Sequence, residues 1–146
     1  MSSAPSAETR AQNVAAGIRT VRQRMASACL AAGRPEGAVR LLAVSKTFPA
    51  AAVRDAVAAG QTAFGENYVQ EGLDKIGALA GLALEWHYIG PLQSNKTRAV
   101  AEHYAWVHTV DRLKIAERLS AQRPVALPAL NVCIQVNISE IGRAHV

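Results

Sequence analysis

Apolar residues near the start of the chain recur at three- and four-residue steps. Val14, Ile18, Val21, Met25 and Cys29 fall on one stripe, which predicts an amphipathic helix over residues 8–33. Gly33 and Pro35 follow as stop signals. From Leu41 the pattern changes to short apolar runs alternating with helical segments. "LLAVSKT" reads as a strand, and "PAAAVRDAVAAG" as a helix with Pro49 near its start and Gly60 past its end. "TAFGENY", "EWHYIGPL", "WVHTV" and "LNVCIQVNIS" read as four further strands, separated by the helices "VQEGLDKIGAL", "SNKTRAVAEHY" and "RLKIAERLSAQ". Ser94 and Asp111 stand where side-chain caps of the last two helices belong. Glu71 and Lys75 lie four apart in the order that favours a helical ion pair.

Strand, helix, strand, helix with short connections implies right-handed βαβ units and a parallel sheet. The spacing of the strands suits either a (β/α)8 barrel or a doubly wound sheet. No G-x-G-x-x-G follows the first strand, which weakens the dinucleotide-binding version.

Composition narrows the class. The chain has 146 residues, half of them hydrophobic and 18% charged, enough for one globular domain with a real core and too few for two. No apolar run approaches the roughly 18 residues of a membrane span, and "MSSAPSAETRAQ" has no secretory pattern. Cys29 and Cys133 lie far apart in apolar contexts and read as reduced core thiols of a cytoplasmic protein. The net charge of +5 is spread along the chain with no interleaved stacking aromatics, which argues against nucleic-acid binding.

In both architectures ligands bind beyond the C-terminal ends of the strands. The first strand delivers Lys46 there, the second Glu66 and Asn67, and the third Gly90, Gln93 and Ser94. The fourth delivers Thr109 and Asp111, and the fifth Gln135 and Asn137. One lysine among amides and hydroxyls suits a small polar ligand with an electrophilic carbonyl. Leu42, Val44 and Lys46 share one face of the first strand. If that face lines a barrel interior, the amine is partly desolvated and its neutral, nucleophilic form is favoured. A lysine at a strand end that merely reaches water is the plainer alternative. His87, His103 and His108 show no metal-ligand spacing, and no nucleophile elbow, phosphate loop or zinc signature is present.

The segments "LLAVSKTFP", "FGENYVQE", "WHYIGPLQSNK", "VHTVD" and "IQVNIS", in this order, resemble those of the pyridoxal phosphate homeostasis proteins. These are single-domain barrels related in fold to the N-terminal domain of alanine racemase. The resemblance covers Leu41 to Ser139 and admits the preceding helix. It implies that Lys46 binds pyridoxal 5′-phosphate (PLP) as a Schiff base. It also implies that Asn67 contacts the cofactor and that His87, Asn95 and Asn137 lie at the pocket rim. It implies no catalytic residue and no metal. The role implied is binding, buffering and handing on PLP, with PLP-dependent apo-enzymes as acceptors and the parent protein a cytoplasmic monomer. A racemase-like enzyme acting on amino acids is the alternative, but no second acid/base is plainly placed. A basic RNA-binding module is a third.

The expected fold is therefore a (β/α)8 TIM-type barrel, here reduced to an N-terminal helix and about five βα units. Residues 1–146 form one incomplete domain, with residues 1–7 disordered. The ending "EIGRAHV", residues 140–146, does not match the family pattern, and a full barrel needs at least about 200 residues. The chain is thus expected to be truncated, ending in a misread frame or a foreign junction. In these proteins the late strands hold the cofactor's phosphate, so affinity is expected to fall steeply. The first and fifth strands would carry open edges.

Overall fold

A computed structural model describes residues 3–139; the expectation placed on residues 140–146 lies outside them. Helix α1 spans Ala7–Ala31, its N-terminus capped by Ser6, whose hydroxyl accepts from the Thr9 N–H at 3.2 Å. Four βα repeats and a fifth strand follow among the described residues: β1 Ala43–Val44, α2 Ala50–Ala58, β2 Ala63–Glu66, α3 Val69–Ala78 and β3 Glu85–Tyr88. A 3-10 turn over Ser94–Lys96 leads into α4 Thr97–His103, followed by β4 Trp106–Val110, α5 Leu113–Gln122 and β5 Asn131–Ile134. No helix among the described residues is long and apolar enough to cross a membrane.

The strands form one parallel sheet in the order β1-β2-β3-β4-β5. That order decides between the two architectures. A doubly wound sheet reverses direction at a switch point, which puts helices on both faces. Here every strand pairs with its successor, so right-handed crossovers leave all the helices on one face. The molecule is an arc of a (β/α)8 barrel, preceded by α1.

Alternation along the strands sorts the side chains. Phe64, Trp86, Tyr88 and Val107 pack against Val53, Val100, Tyr104, Ile115 and Leu119 of the helical layer. Gly65, His87, Trp106 and His108 alternate with them and face the inner, concave side. Helix α1 lies along α2. Arg10 pairs with Asp55 at 2.6 Å, and Arg22 donates to the Ala59 and Gly60 carbonyls and to Gln61. On the edge strand β5, Val132 and Ile134 are exposed although they pair with buried Val107 and Val110. Both cysteines are free thiols, Cys29 buried and Cys133 half-buried.

Two expected caps are not formed. Ser94 instead starts the 3-10 turn, where its carbonyl accepts from Thr97 and Arg118, and Arg112 rather than Asp111 occupies the cap of α5, without a side-chain bond.

Gly72 sets the spacing of α3 and α4. A Cβ there would lie 1.8 Å from the Tyr104 hydroxyl. That hydroxyl is buried without a hydrogen-bond partner among the described residues. Gly72→Ala is therefore expected to destabilise the fold by about 1–3 kcal/mol through overpacking, against the roughly 1 kcal/mol that alanine gains in a helix. Tyr104→Phe removes the obstructing oxygen and leaves no bond unmade, so it should be neutral or stabilising and should lower the cost of Gly72→Ala. Denaturant unfolding of the two single variants and the double variant checks this; a stabilising Gly72→Ala would refute the close approach.

Candidate functional site

The pairing of β1 with β2 ends at Val44↔Gly65, followed by a bond from the Ser45 N–H to the Gly65 carbonyl. The chain then reverses in a turn closed by the Phe48 N–H on the Ser45 carbonyl at 3.1 Å. Lys46 and Thr47 are its two central residues. Thr47 has φ 67°, the only positive φ outside glycine among the described residues. A turn with positive φ at its third position ordinarily takes Gly or Asn there. A β-branched residue in that position is strained, by about 1–3 kcal/mol.

Lys46 is exposed and makes no hydrogen bond or ion pair with any described residue. The sequence pattern extended the strand through Lys46 and made desolvation conditional on an enclosed interior. The ladder stops two residues earlier, and the amine stands in water on the turn.

Beneath this turn is a group of charges of which sequence reasoning paired only Glu71 with Lys75, as a helical ion pair. Lys75, 5% exposed, donates to Glu66 at 2.6 Å, to the Ser45 carbonyl at 2.6 Å and to Glu71 at 3.0 Å. Glu66 is fully buried and accepts from the Ser45 hydroxyl at 2.8 Å. Glu71 accepts from the Thr47 N–H at 2.5 Å. The hydrogen bond from Lys75 holds the Glu71 carboxyl below its usual range; burial opposes this and the Thr47 N–H assists it. The spacing of Glu71 and Lys75 was legible, but the inward turn of Lys75 depends on Glu66, five residues before Glu71 and on another element.

Beyond the C-terminal ends of β2, β3 and β4 lies a cleft of about 830 Å³. Of the polar residues expected at the rim, Asn67, Gln93, Thr109, Asp111 and Gln135 line it together. Glu66 does not, because it points to the helical layer. Gly90 is not among the lining residues; its missing side chain allows a close approach, since a Cβ would lie 2.1 Å from the Asn67 carbonyl. The Asn67 Oδ1 is buried without a hydrogen-bond partner among the described residues. The Tyr88 hydroxyl donates to the Pro91 carbonyl at 2.7 Å, and burial pushes it up to about 12. Lys46 and the exposed Asn95 and Asn137 are not among the lining residues.

His87 sits on the concave face, also outside the cleft lining. Its Nδ1 is 2.8 Å from His108 Nε2, its Nε2 is 2.7 Å from Glu85, and Glu85 pairs with Arg40 at 2.7 Å. Trp106 stacks on the His87 ring at 5.4 Å. One proton serves the bond between the two rings, so one ring accepts in its neutral form. Burial pulls His87 below its usual value, opposed by the hydrogen bond to Glu85, and burial lowers His108 as well. Two i, i+2 pairs on adjacent strands, Glu85 with His87 and Trp106 with His108, were the available signal for this chain of groups.

Fold and site together define five parallel strands of a (β/α)8-type barrel, with an exposed lysine on the turn after the first strand and a polar rim beyond the next three. No protein-family model matches the chain. Curated relatives do. The pyridoxal phosphate homeostasis protein of Pseudomonas aeruginosa is 64% identical over 126 residues, covering 86% of this chain and 55% of that protein. The Escherichia coli K12 protein of the same name is 56% identical over 131 residues, covering 88% and 56%. Among solved structures, PipY of Synechococcus elongatus with PLP bound superposes with TM-score 0.69 at 44% identity, over 82% of this chain and 56% of PipY. A protein of unknown function from Bifidobacterium adolescentis gives TM-score 0.74 at 32% identity, over 83% and 53%. Over the part it spans, the chain belongs to the pyridoxal phosphate homeostasis protein family. It spans about half the length of these relatives.

The histidine pair carries a pH dependence. The folded values of His87 and His108 lie below the ordinary 6.5, so the unfolded chain takes up protons first as pH falls. Their contribution to stability is complete above about pH 6.5 and is lost as pH drops through that value toward the folded ones. The urea midpoint should fall between about pH 7.5 and about pH 5.5, and fall less in a His87→Gln/His108→Gln variant. An equal fall in both would refute the assignment.

Proposed function

We propose that this chain binds pyridoxal 5′-phosphate covalently through Lys46 and serves PLP homeostasis in the cytoplasm rather than turnover of an amino-acid substrate. The observation that carries the proposal is an uncommitted amine held on a strained turn at the end of β1. PipY, 44% identical, was solved with PLP bound, and the curated relatives are named for PLP homeostasis. Lys75, the other lysine near the turn, has an acceptor for each of its three N–H bonds and none to spare.

The residues present fit the aldehyde end of the cofactor. When bound, PLP supplies an electrophilic aldehyde. Lys46 would hold the cofactor there, its side-chain nitrogen being the nucleophile that such a carbon requires. Asn67 lines the cleft with Gln93, Thr109 and Gln135, polar groups that suit a polar ligand. His87 and Asn137, outside the cleft lining, carry none of the proposal. Absence of turnover is supported at Tyr88, whose hydroxyl is occupied by a carbonyl and raised to about 12, a poor acid/base near neutrality. The exposure of Lys46 suits transfer of the cofactor to apo-enzymes, with the whole protein acting as a monomer.

Adding PLP to the 146-residue chain is expected to give a visible imine absorption band that Lys46→Ala lacks. Borohydride reduction and peptide mapping should place the label on Lys46. An equal band in both proteins, or the label on other lysines, would overturn the proposal.

A further inference from the structure

Lys46 lies between two peptide groups, and each is held by a charged side chain from α3. The carbonyl of the Ser45–Lys46 peptide accepts from Lys75 Nζ at 2.6 Å, and the N–H of the Lys46–Thr47 peptide donates to Glu71 at 2.5 Å. Lys75 and Glu71 bond each other at 3.0 Å, so the two grips are one unit. Glu66 anchors that unit to β2 through Lys75 at 2.6 Å and reaches β1's end through the Ser45 hydroxyl at 2.8 Å.

We propose that Glu71 and Lys75 are positioning residues: a clamp that holds the strained turn and aims the Lys46 amine, resting on the assignment of Lys46 as the covalent anchor. An ordinary buried ion pair would not need this arrangement. Taking charges out of water costs several kcal/mol, and such pairs are poor at adding net stability. Here the pair instead binds a peptide N–H and C=O on either side of one residue, at the only non-glycine position of positive φ among the described residues. Thr47 resists that backbone conformation, and the two charge-assisted bonds supply what the turn sequence lacks.

The side chains divide the work. Glu71 is partly exposed, so it can be replaced without leaving a fully buried charge unpaired. Its amide isostere keeps a carbonyl oxygen for the Thr47 N–H. A glycine at position 47 adopts φ 67° without strain and makes the clamp less necessary.

The test compares the full chain with Glu71→Ala, Glu71→Gln, Thr47→Gly and Glu71→Ala/Thr47→Gly, with Lys46→Ala as control. Hydrogen exchange of the Thr47 amide and the imine band against PLP concentration are both read. Glu71→Ala should speed exchange and weaken imine formation, each by about tenfold or more. Glu71→Gln should restore most of both. In the Thr47→Gly background, Glu71→Ala should weaken imine formation by less. A purely structural ion pair would show neither the rescue nor the dependence on residue 47. Unchanged Thr47 exchange in Glu71→Ala overturns the clamp whether or not PLP binds. Faster exchange with unchanged imine formation overturns its role in aiming Lys46. Absence of a Lys46-dependent band in the parent chain would overturn the binding proposal instead, while the exchange comparison still decides whether the clamp holds the turn.

Discussion

The ammonium of Lys75 is where β1, β2 and α3 meet. Three acceptors from three stretches of chain, Ser45, Glu66 and Glu71, surround it at 2.6 to 3.0 Å. The low exposure of the group makes each contact matter. Removing one member of a buried pair leaves the other uncompensated, at a typical cost of about 3–5 kcal/mol. The end of the first strand is therefore defined less by its ladder, which is only two residues long, than by this polar knot below it. The exposed amine of Lys46 inherits its position from a lysine with no free donor.

Close packing around the knot is what allows a glycine and a tyrosine to matter at a distance. Gly72 brings α3 against Tyr104 of the segment after α4, and Tyr104 packs edge-on against Tyr88 with ring centres 5.5 Å apart. Tyr88 in turn reaches the two loops that carry Asn67 and Pro91. The cleft wall and the Lys46 turn thus rest on one packed layer. The concave face is organised differently, by the chain of Arg40, Glu85, His87 and His108 with Trp106 stacked on it.

The part of the barrel described carries the amine and one wall of the rim. Its sheet order places all the helices outside and leaves the inner faces of the strands for ligands and for chain. Exposed Val132 and Ile134 on β5 show the edge at which the arc stops among the described residues. The Lys46 turn and everything that grips it lie between Ser45 and Lys75, within the first two βα repeats.

Much of this was readable in the order of residues. Helical stripes, apolar runs and Gly or Pro stops located all five strands and the helices between them, since those signals are local and repeat with the period of the backbone. Five short segments in order were enough for the family, and the last polar residues of each run located much of the rim. What the sequence alone determined was which residues the strand ends deliver. Only the tertiary structure decided between barrel and doubly wound sheet, because that depends on which strands pair. It alone turned Lys75 inward and Glu66 away from the cleft, for a side chain's burial is set by partners from other elements. Two lysines of similar local context were given opposite fates by the carboxylates around them: Lys75 enclosed by two, Lys46 by none.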